Sequence, residues 1–137
     1  MRVAEHDGKR YLLRKQSGDS SLLKDPETGK KRYVPNDELT VIGASPLSVA
    51  AESIPEPQRR VLTAVHSETV LGLLVELDEC GPLSVREILD RYDLCESDLH
   101  GQVTELRAAG LLEEATVNGE RGYATTALAE DGLSALR

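Results

Sequence analysis

The chain has neither phenylalanine nor tryptophan, and its only aromatic side chains are four tyrosines among 137 residues. A hydrophobic core must therefore be built from Leu, Val, Ile and Ala, which favours aliphatic packing between amphipathic helices. The sequence also lacks an apolar run of about 18 residues, as a membrane span requires, and the polar segment 1–10 does not resemble a secretory signal. We therefore expect a small cytoplasmic protein of one or two modules.

Cysteine is scarce as well. Cys80 and Cys95, even with His66 and His100, lack the short Cys-x-x-Cys pairs of a zinc site, so we expect neither a metal nor a cofactor. In a cytoplasmic protein, both thiols are expected to stay reduced and to pack in the core as small hydrophobes. No Gly-rich phosphate loop, nucleophile elbow or spaced carboxylate and histidine set occurs, which predicts a protein that is not an enzyme.

Lysine is missing from most of the chain, since all five lysines lie at or before Lys31. Residues 1–35 contain nine Lys or Arg against five Asp or Glu, whereas residues 36–137 contain seven against nineteen. This split predicts two modules with different partners. The net charge of −8 and the excess of arginine over lysine suit a protein kept soluble in concentrated salt, so we hypothesise a halophilic source.

Residues 1–42 predict a basic antiparallel β-meander, and residues 43–57 predict a connector. The candidate strands are RVAEH, KRYLLRK, SSLLK, KRYVP and LTVI. Asp7-Gly8 is a two-residue hairpin signal, and the segment 25–29 supplies a second turn through its proline and glycine. The connector is interrupted by prolines and offers at most one turn of helix.

Residues 58–137 predict a helix-turn-helix followed by a hairpin and a last helix. Apolar spacing and capping signals place helices at about residues 57–65, 68–80, 85–91, 97–109 and 127–136. In the helix at 97–109, the apolar residues Leu99, Val103 and Leu106 would face the core. The hairpin, residues 111–125, turns at Asn118-Gly119, which is the strongest short hairpin signal.

Two motifs in this block resemble those of a known group of proteins. The pattern S-x-x-x-x-x-V-x-x-L-x-x-x-G-L-L over residues 97–112 and G-E-R-G-Y over residues 119–123 are similar to the winged helix-turn-helix regulators of prokaryotes, the MarR-like and ArsR-like kinds included. The resemblance covers residues 67–132. With its N-terminal β-module, the whole chain resembles uncharacterised winged-helix proteins of halophilic archaea. The expected fold is therefore α+β, a winged helix-turn-helix domain preceded by a small antiparallel β-meander.

The resemblance implies a homodimeric, sequence-specific DNA-binding regulator of transcription. The helix at 97–109 would enter the major groove of double-stranded DNA, and the wing at 111–125 would lie beside it. We expect Gln102 to bond adenine edges with support from His100 and Thr104, and Arg121 to contact a groove or a phosphate. The candidate DNA-binding residues are Ser97, His100, Gln102, Thr104, Arg107, Arg121 and Arg86. The helices beginning near Pro57 and Ala127 offer apolar faces for pairing two copies.

The outward face of the helix at 97–109 points to an alternative. Related regulators usually carry Ser, Thr, Arg, Lys or Gln there, whereas the outward residues of this chain are Asp98, His100, Gly101, Gln102, Thr104 and Glu105. This acidity favours a winged-helix adaptor that binds a protein partner and not DNA.

The basic β-module is a second candidate contact, for nucleic acid or for a protein partner. Its candidate residues are Lys9, Arg10, Tyr11, Lys31, Arg32 and Tyr33. Tyrosines interleaved with cations are typical of surfaces that bind single-stranded nucleic acid. In a small sheet, however, tyrosines more often cover the core beside a long basic side chain. A basic sheet docked on an acidic protein surface is equally consistent with the pattern.

Overall fold

A five-stranded antiparallel sheet organises the first part of the chain, in a computed structural model that describes all residues, 1–137. Its strands are β1 (Arg2–His6), β2 (Lys9–Gln16), β3 (Ser20–Lys24), β4 (Lys31–Pro35) and β5 (Thr40–Ile42), in the spatial order β4-β3-β2-β1-β5. The first four strands form a meander, and β5 returns to pair with β1. The predicted strands agree with these bounds to within one residue at each end.

Both faces of this sheet bury apolar side chains, because successive residues of a strand point to opposite faces. On one face, Ala4, Leu13, Leu23 and Val34 form a cluster against which Tyr11 packs. Tyr11 thus partly covers a core, as tyrosines in small sheets usually do. The cluster is evidence for neither of the two binding roles considered for the sheet.

The opposite face is covered by a short helix, α1 (Pro46–Ala50), which a 3-10 turn (Ala51–Ser53) extends. Its Val49 is fully buried against Val3 and Leu12. Residues 46–53, predicted as part of a connector over 43–57, are therefore folded onto the sheet, and the first compact unit of the chain is Met1–Pro55. The physical reason is that Val3 and Leu12 need an apolar cover, which a five-residue helix is long enough to provide.

The second compact unit, Glu56–Arg137, is a winged helix-turn-helix domain. Its elements in order are α2 (Glu56–Ala64), α3 (Glu68–Cys80), β6 (Leu83–Ser84), α4 (Val85–Tyr92), α5 (Glu96–Ala108), β7 (Leu112–Val117), β8 (Glu120–Thr125) and α6 (Ala127–Leu136). The three strands form one antiparallel sheet in the order β6-β8-β7. The predicted α+β architecture, a winged helix-turn-helix preceded by a β-meander, is confirmed. Strand β6 was not predicted, because two residues are too few to show an alternating pattern.

Side-chain caps set the beginnings of three helices in this unit. The hydroxyls of Ser67, Ser84 and Thr126 accept from backbone amides three residues later, at 3.2, 3.1 and 3.3 Å. The carboxylate of Glu87, three residues after the Ser84 cap, also accepts from the Ser84 hydroxyl at 3.3 Å. Each such cap contributes about 1 kcal/mol to helix stability. Asp93 then ends α4 in the left-handed conformation, with φ 51°, and turns the chain into α5.

The core of this unit is aliphatic, as the composition predicts. Its largest fully buried side chains are Leu74, Leu77, Ile88, Leu106, Leu111 and Leu133, and the one tyrosine buried with them is Tyr123. The longest helices, α3 and α5, have 13 residues each, fewer than the roughly 20 that a membrane span needs. No helix qualifies as a membrane-spanning segment.

Helices α2 and α6 cross at a glycine. A Cβ atom added at Gly132 would lie 2.5 Å from the carbonyl oxygen of Pro57 and 2.8 Å from a methyl carbon of Val61. Because the first of these atoms belongs to the backbone, the two helices would have to move apart to make room. We expect Gly132→Ala to destabilise the domain by about 1–3 kcal/mol, the usual cost of overpacking, in denaturant unfolding.

Gly101, in the middle of α5, provides the matched control, since a Cβ there would meet nothing within 4 Å. Gly101→Ala should stabilise the domain by about 0.5–1 kcal/mol through the lower backbone entropy of its unfolded chain. Equal effects of the two substitutions would show that the close crossing is not what requires Gly132.

Candidate nucleic-acid interface

The exposed side of α5 is fixed by the residues that the helix buries. Leu99, Val103 and Leu106 are buried, as predicted, and anchor the helix against the core. Ser97 and Thr104 therefore lie on the exposed side. The Thr104 hydroxyl donates to the His100 carbonyl oxygen at 2.7 Å, and the Ser97 hydroxyl lies 3.4 Å from the sulfur of Cys95.

Gln102 differs from its expected position on this face. It is half-buried, and its side-chain oxygen Oε1 is enclosed without any hydrogen-bond partner in the protein. The reason is helical geometry: Gln102 follows Leu99 by three residues and precedes Leu106 by four, so it lies at the edge of the buried stripe. His100, in contrast, is exposed on the side of α5 that faces the wing.

The wing is a tight hairpin whose turn sets its register. Asn118 and Gly119 both have positive φ, 52° and 78°, as a two-residue primed turn requires. Strands β7 and β8 pair from Val117 opposite Glu120 outward, which places Glu114 opposite Tyr123 and one diagonal step from Arg121. Glu114, Arg121 and Tyr123 therefore share one face of the wing.

Arg121 is held in place on that face. Its guanidinium donates to the Tyr123 hydroxyl at 2.9 Å and to Glu114 Oε1 at 3.2 Å. It also lies 5.7 Å from the centre of the Tyr123 ring. The same Glu114 oxygen lies 3.4 Å from Arg107 of α5. One carboxylate thus holds the arginine of the helix and the arginine of the wing.

The third arginine among the candidates is paired as well. Arg86, at the start of α4, lies 3.4 Å from Glu120 at the tip of the wing. Over residues 56–137, seven arginines stand against sixteen acidic residues, and ion pairs hold Arg60, Arg86, Arg91, Arg107, Arg121 and Arg137. The exposed Glu96, Asp98 and Glu105 of α5 form no ion pair. This unit therefore presents neutralised cations beside free carboxylates.

An open cleft of about 810 Å³ separates α5 from the wing. The helix side is lined by Cys95, Glu96, Ser97 and His100, and the wing side by Arg121 and Tyr123. Its floor is apolar, formed by residues such as Val85, Leu99 and Val103. The cleft brings together three of the seven sequence candidates for DNA contact.

The cysteines do not pack in the core, contrary to the expectation. Cys80 and Cys95 are both exposed, because Cys80 ends α3 at its solvent side and Cys95 precedes the first turn of α5. The Cys80 sulfur also lies 4.0 Å from a guanidinium nitrogen of Arg91, a contact that adjacency in sequence does not reveal. No group of three or more His, Cys, Asp or Glu is arranged to hold a metal ion.

The six candidates of the β-module separate into different environments. Lys9 bonds Asp25 at 2.7 Å, and Arg10 forms an ion pair with Glu52. The hydrogen bond from Lys9 lowers the pKa of the Asp25 carboxyl, and in return it raises the pKa of Lys9. These two cations are therefore engaged within the module.

Three of the candidate cations lie near Tyr11. Arg32, like Lys9, lies over the Tyr11 ring, at 6.0 and 5.7 Å from its centre. Tyr33 stands in the ladder opposite Leu22 and is 60% exposed, and Lys31 stands opposite Lys24. The structure thus brings Lys9, Tyr11 and Arg32 together, with Lys31 lining the same depression as Tyr11 and Arg32. The binding role of the six candidates stays a prediction.

Glu114 is the residue of this region that sequence reasoning missed. A usable signal exists, because the two-residue turn at Asn118-Gly119 fixes the register and places Glu114 diagonally from Arg121. The pairing of Glu120 with Arg86 carries no such signal, since it depends on how α4 packs against the wing.

Comparison with known proteins gives one family and one distant structural likeness. No curated protein matches the chain. A crystal structure described as that of an ArsR family transcriptional regulator is similar at a TM-score of 0.46 and 19% sequence identity, over 61% of this chain and 84% of the other. A family model matches residues 1–137, and the chain therefore belongs to the family of unknown function DUF7346.

Proposed function

We propose that the protein is a sequence-specific regulator of transcription that binds double-stranded DNA, with α5 in the major groove and the β7–β8 wing beside it. The observation that carries this proposal is the cleft between α5 and the wing, which places Ser97, His100 and Arg121 on one open surface. Hydroxyl, imidazole and guanidinium groups are donors to base edges and phosphates. The role is one of binding and involves no catalytic step.

Gln102 is expected to contribute less to base recognition than its place in the sequence suggests. Bidentate recognition of adenine needs both the oxygen and the nitrogen of the amide, and the Gln102 oxygen is enclosed. Thr104 and Ser97 are exposed and take its place as the base-contacting side chains.

The arginines of this surface remain available to DNA although carboxylates hold them. Arg107, Arg121 and Arg86 are each at least two-fifths exposed, so their ion pairs contribute only about 0–1 kcal/mol. A phosphate can compete with a pair of that strength. Because free carboxylates on α5 repel phosphates, we expect weak non-specific affinity and a large share of the binding free energy from base contacts.

The recognition role of α5 is tested by mapping the genomic occupancy of a tagged chain in its own cells. We expect sharp promoter peaks that share a pseudo-palindrome, and we expect Ser97→Ala/Thr104→Ala to reduce their occupancy about ten- to hundredfold, the usual cost of lost base contacts. Ser134→Ala on α6 is the control and should leave the peaks unchanged. A flat profile from the folded, well-expressed wild-type chain would contradict DNA binding.

We infer that Glu114 weakens DNA binding because it holds Arg107 and Arg121, and its neutral isostere tests this inference. Glu114→Gln releases Arg107 and Arg121, so we expect duplex DNA to bind roughly tenfold more tightly in fluorescence anisotropy. The plot of log affinity against log salt should steepen by about one for each arginine that reaches a phosphate. Glu113→Gln makes the same charge change on the same strand, at a residue with no ion pair, and should change the affinity much less.

Pairing of two copies is the second part of the proposal. Leu62 of α2 and Leu136 of α6 are 59% and 48% exposed on two helices that pack together, and two-fold pairing would supply the half-site spacing of a palindrome. We expect the wild-type chain to sediment as a dimer and Leu62→Asp to sediment as a monomer. Leu47→Asp, at an exposed leucine of the other unit, is the control. A wild-type chain that is monomeric at every concentration would rule the dimer out.

A second candidate function is supported by the carboxylates of α5. Glu96, Asp98 and Glu105 are exposed and form no ion pair, which fits a basic protein partner better than a phosphate backbone. In this alternative the domain is a winged-helix adaptor. Affinity capture after nuclease treatment, in concentrated KCl if the source is halophilic, distinguishes the two. A stoichiometric protein partner without DNA supports the adaptor, and its loss in Glu96→Gln/Asp98→Asn would place the contact on α5.

A further inference from the structure

One side of the N-terminal sheet carries cations that no carboxylate neutralises. They differ in this from Lys9 and Arg10, which have acidic partners. Lys24 has none, although it stands directly opposite Lys31 in the β3–β4 ladder. Like charges directly opposite each other on neighbouring strands destabilise a sheet. A pair of this kind is relieved when an anionic group binds to it.

Two further cations without ion pairs belong to the same surface. Lys15 stands opposite Leu22, which stands opposite Tyr33 in the next strand, so these side chains lie along one face of the sheet. Arg14 lies at the irregularity of the β2–β3 register, between Leu13 and Lys15. The local charge of this face is therefore strongly positive in a chain whose net charge is −8.

An apolar groove of about 680 Å³ adjoins these cations. Arg14 and Lys24 line it together with the apolar residues Met1, Leu12, Pro26, Pro46, Leu47 and Ala50. Leu47 is 83% exposed, the most exposed large apolar side chain in the protein. A leucine in water beside a concave apolar surface gains free energy when a second apolar group covers it.

We propose that this groove is the docking site for an acidic segment of a partner protein. An aliphatic side chain of the segment occupies the groove against Leu12 and Leu47, and its carboxylates bond Arg14 and Lys24. The sign of the charge selects an anionic partner, and the aliphatic lining selects a peptide. A nucleic-acid strand would need aromatic side chains for its bases to stack on, and Tyr33 is the only exposed tyrosine of this face. The site belongs to the unit Met1–Pro55, and the proposed DNA-binding surface belongs to the unit Glu56–Arg137.

The test uses the full chain and a fluorescent peptide of mixed aspartate and leucine, followed by anisotropy. Three comparison probes accompany it: the peptide with lysine for aspartate, the peptide with serine for leucine, and a single-stranded oligothymidylate. We expect saturable binding of the Asp/Leu peptide only. Tighter binding of the oligothymidylate than of the peptide, or binding of no probe, would overturn the proposal.

Charge and apolar contributions are separated by variants at the half-buried Lys24 and at the exposed Leu47. We expect Lys24→Glu to weaken peptide binding about tenfold or more, and Leu47→Ala to weaken it roughly tenfold. Lys30→Glu is the matched control, because Lys30 also lacks an ion pair but lines the depression around Tyr11 and not the groove. Lys30→Glu should change the peptide affinity by less than about twofold, because salt screens a charge that lies outside the groove. Equal affinities of wild type, Lys24→Glu and Leu47→Ala would place the peptide elsewhere and refute the site.

Discussion

The rotation of α5 about its own axis decides most of what the winged-helix unit can do. Burial of Leu99, Val103 and Leu106 holds the helix in one orientation, and burying three such side chains stabilises it by several kcal/mol, about 1.5–3 for each. That orientation exposes Ser97 and Thr104 and encloses the oxygen of Gln102. It also brings Arg107 within 3.4 Å of the wing carboxylate. The polar surface of α5 is thus a consequence of its apolar one.

Because the core is aliphatic, the packing of the helices depends on how closely their backbones approach as well as on the volume of their side chains. Without Phe or Trp, the helices must come close together, and Gly132 allows α6 to cross α2 near the Pro57 carbonyl. Helix caps add about 1 kcal/mol each at α3, α4 and α6. Contributions of this size matter in a small domain, whose net stability is only about 5–15 kcal/mol.

Local signals were sufficient to predict the architecture of the chain. Asn118-Gly119, the capping serine Ser84 and the apolar spacing of α5 each act within a few residues, so the elements and their order could be predicted from sequence. The exposure of Cys80 and the folding of residues 46–53 onto the sheet could not, because both depend on which distant apolar residues need cover. The candidate site was predicted in outline only. The bounds of its helix and wing were predicted to within one residue, whereas the ion pairs of Glu114 were missed. Gln102 was expected on the outward face but lies at the edge of the buried stripe.

Ion pairing divides the cations of this chain into two groups with different consequences. In residues 56–137, carboxylates already hold the arginines near α5, so a DNA phosphate gains only the difference between two exposed ion pairs. On the sheet, Lys24 and Arg14 have no such competitor, and an incoming carboxylate gains the whole interaction. Salt separates the two surfaces further, because it screens charges but strengthens or leaves intact the burial of apolar groups. In concentrated salt, contacts with phosphates weaken steeply, while a leucine in the groove against Leu47 keeps its share of the binding free energy. The proposed protein contact on the sheet is therefore expected to persist in concentrated salt, and the proposed DNA contact of α5 to depend on base recognition.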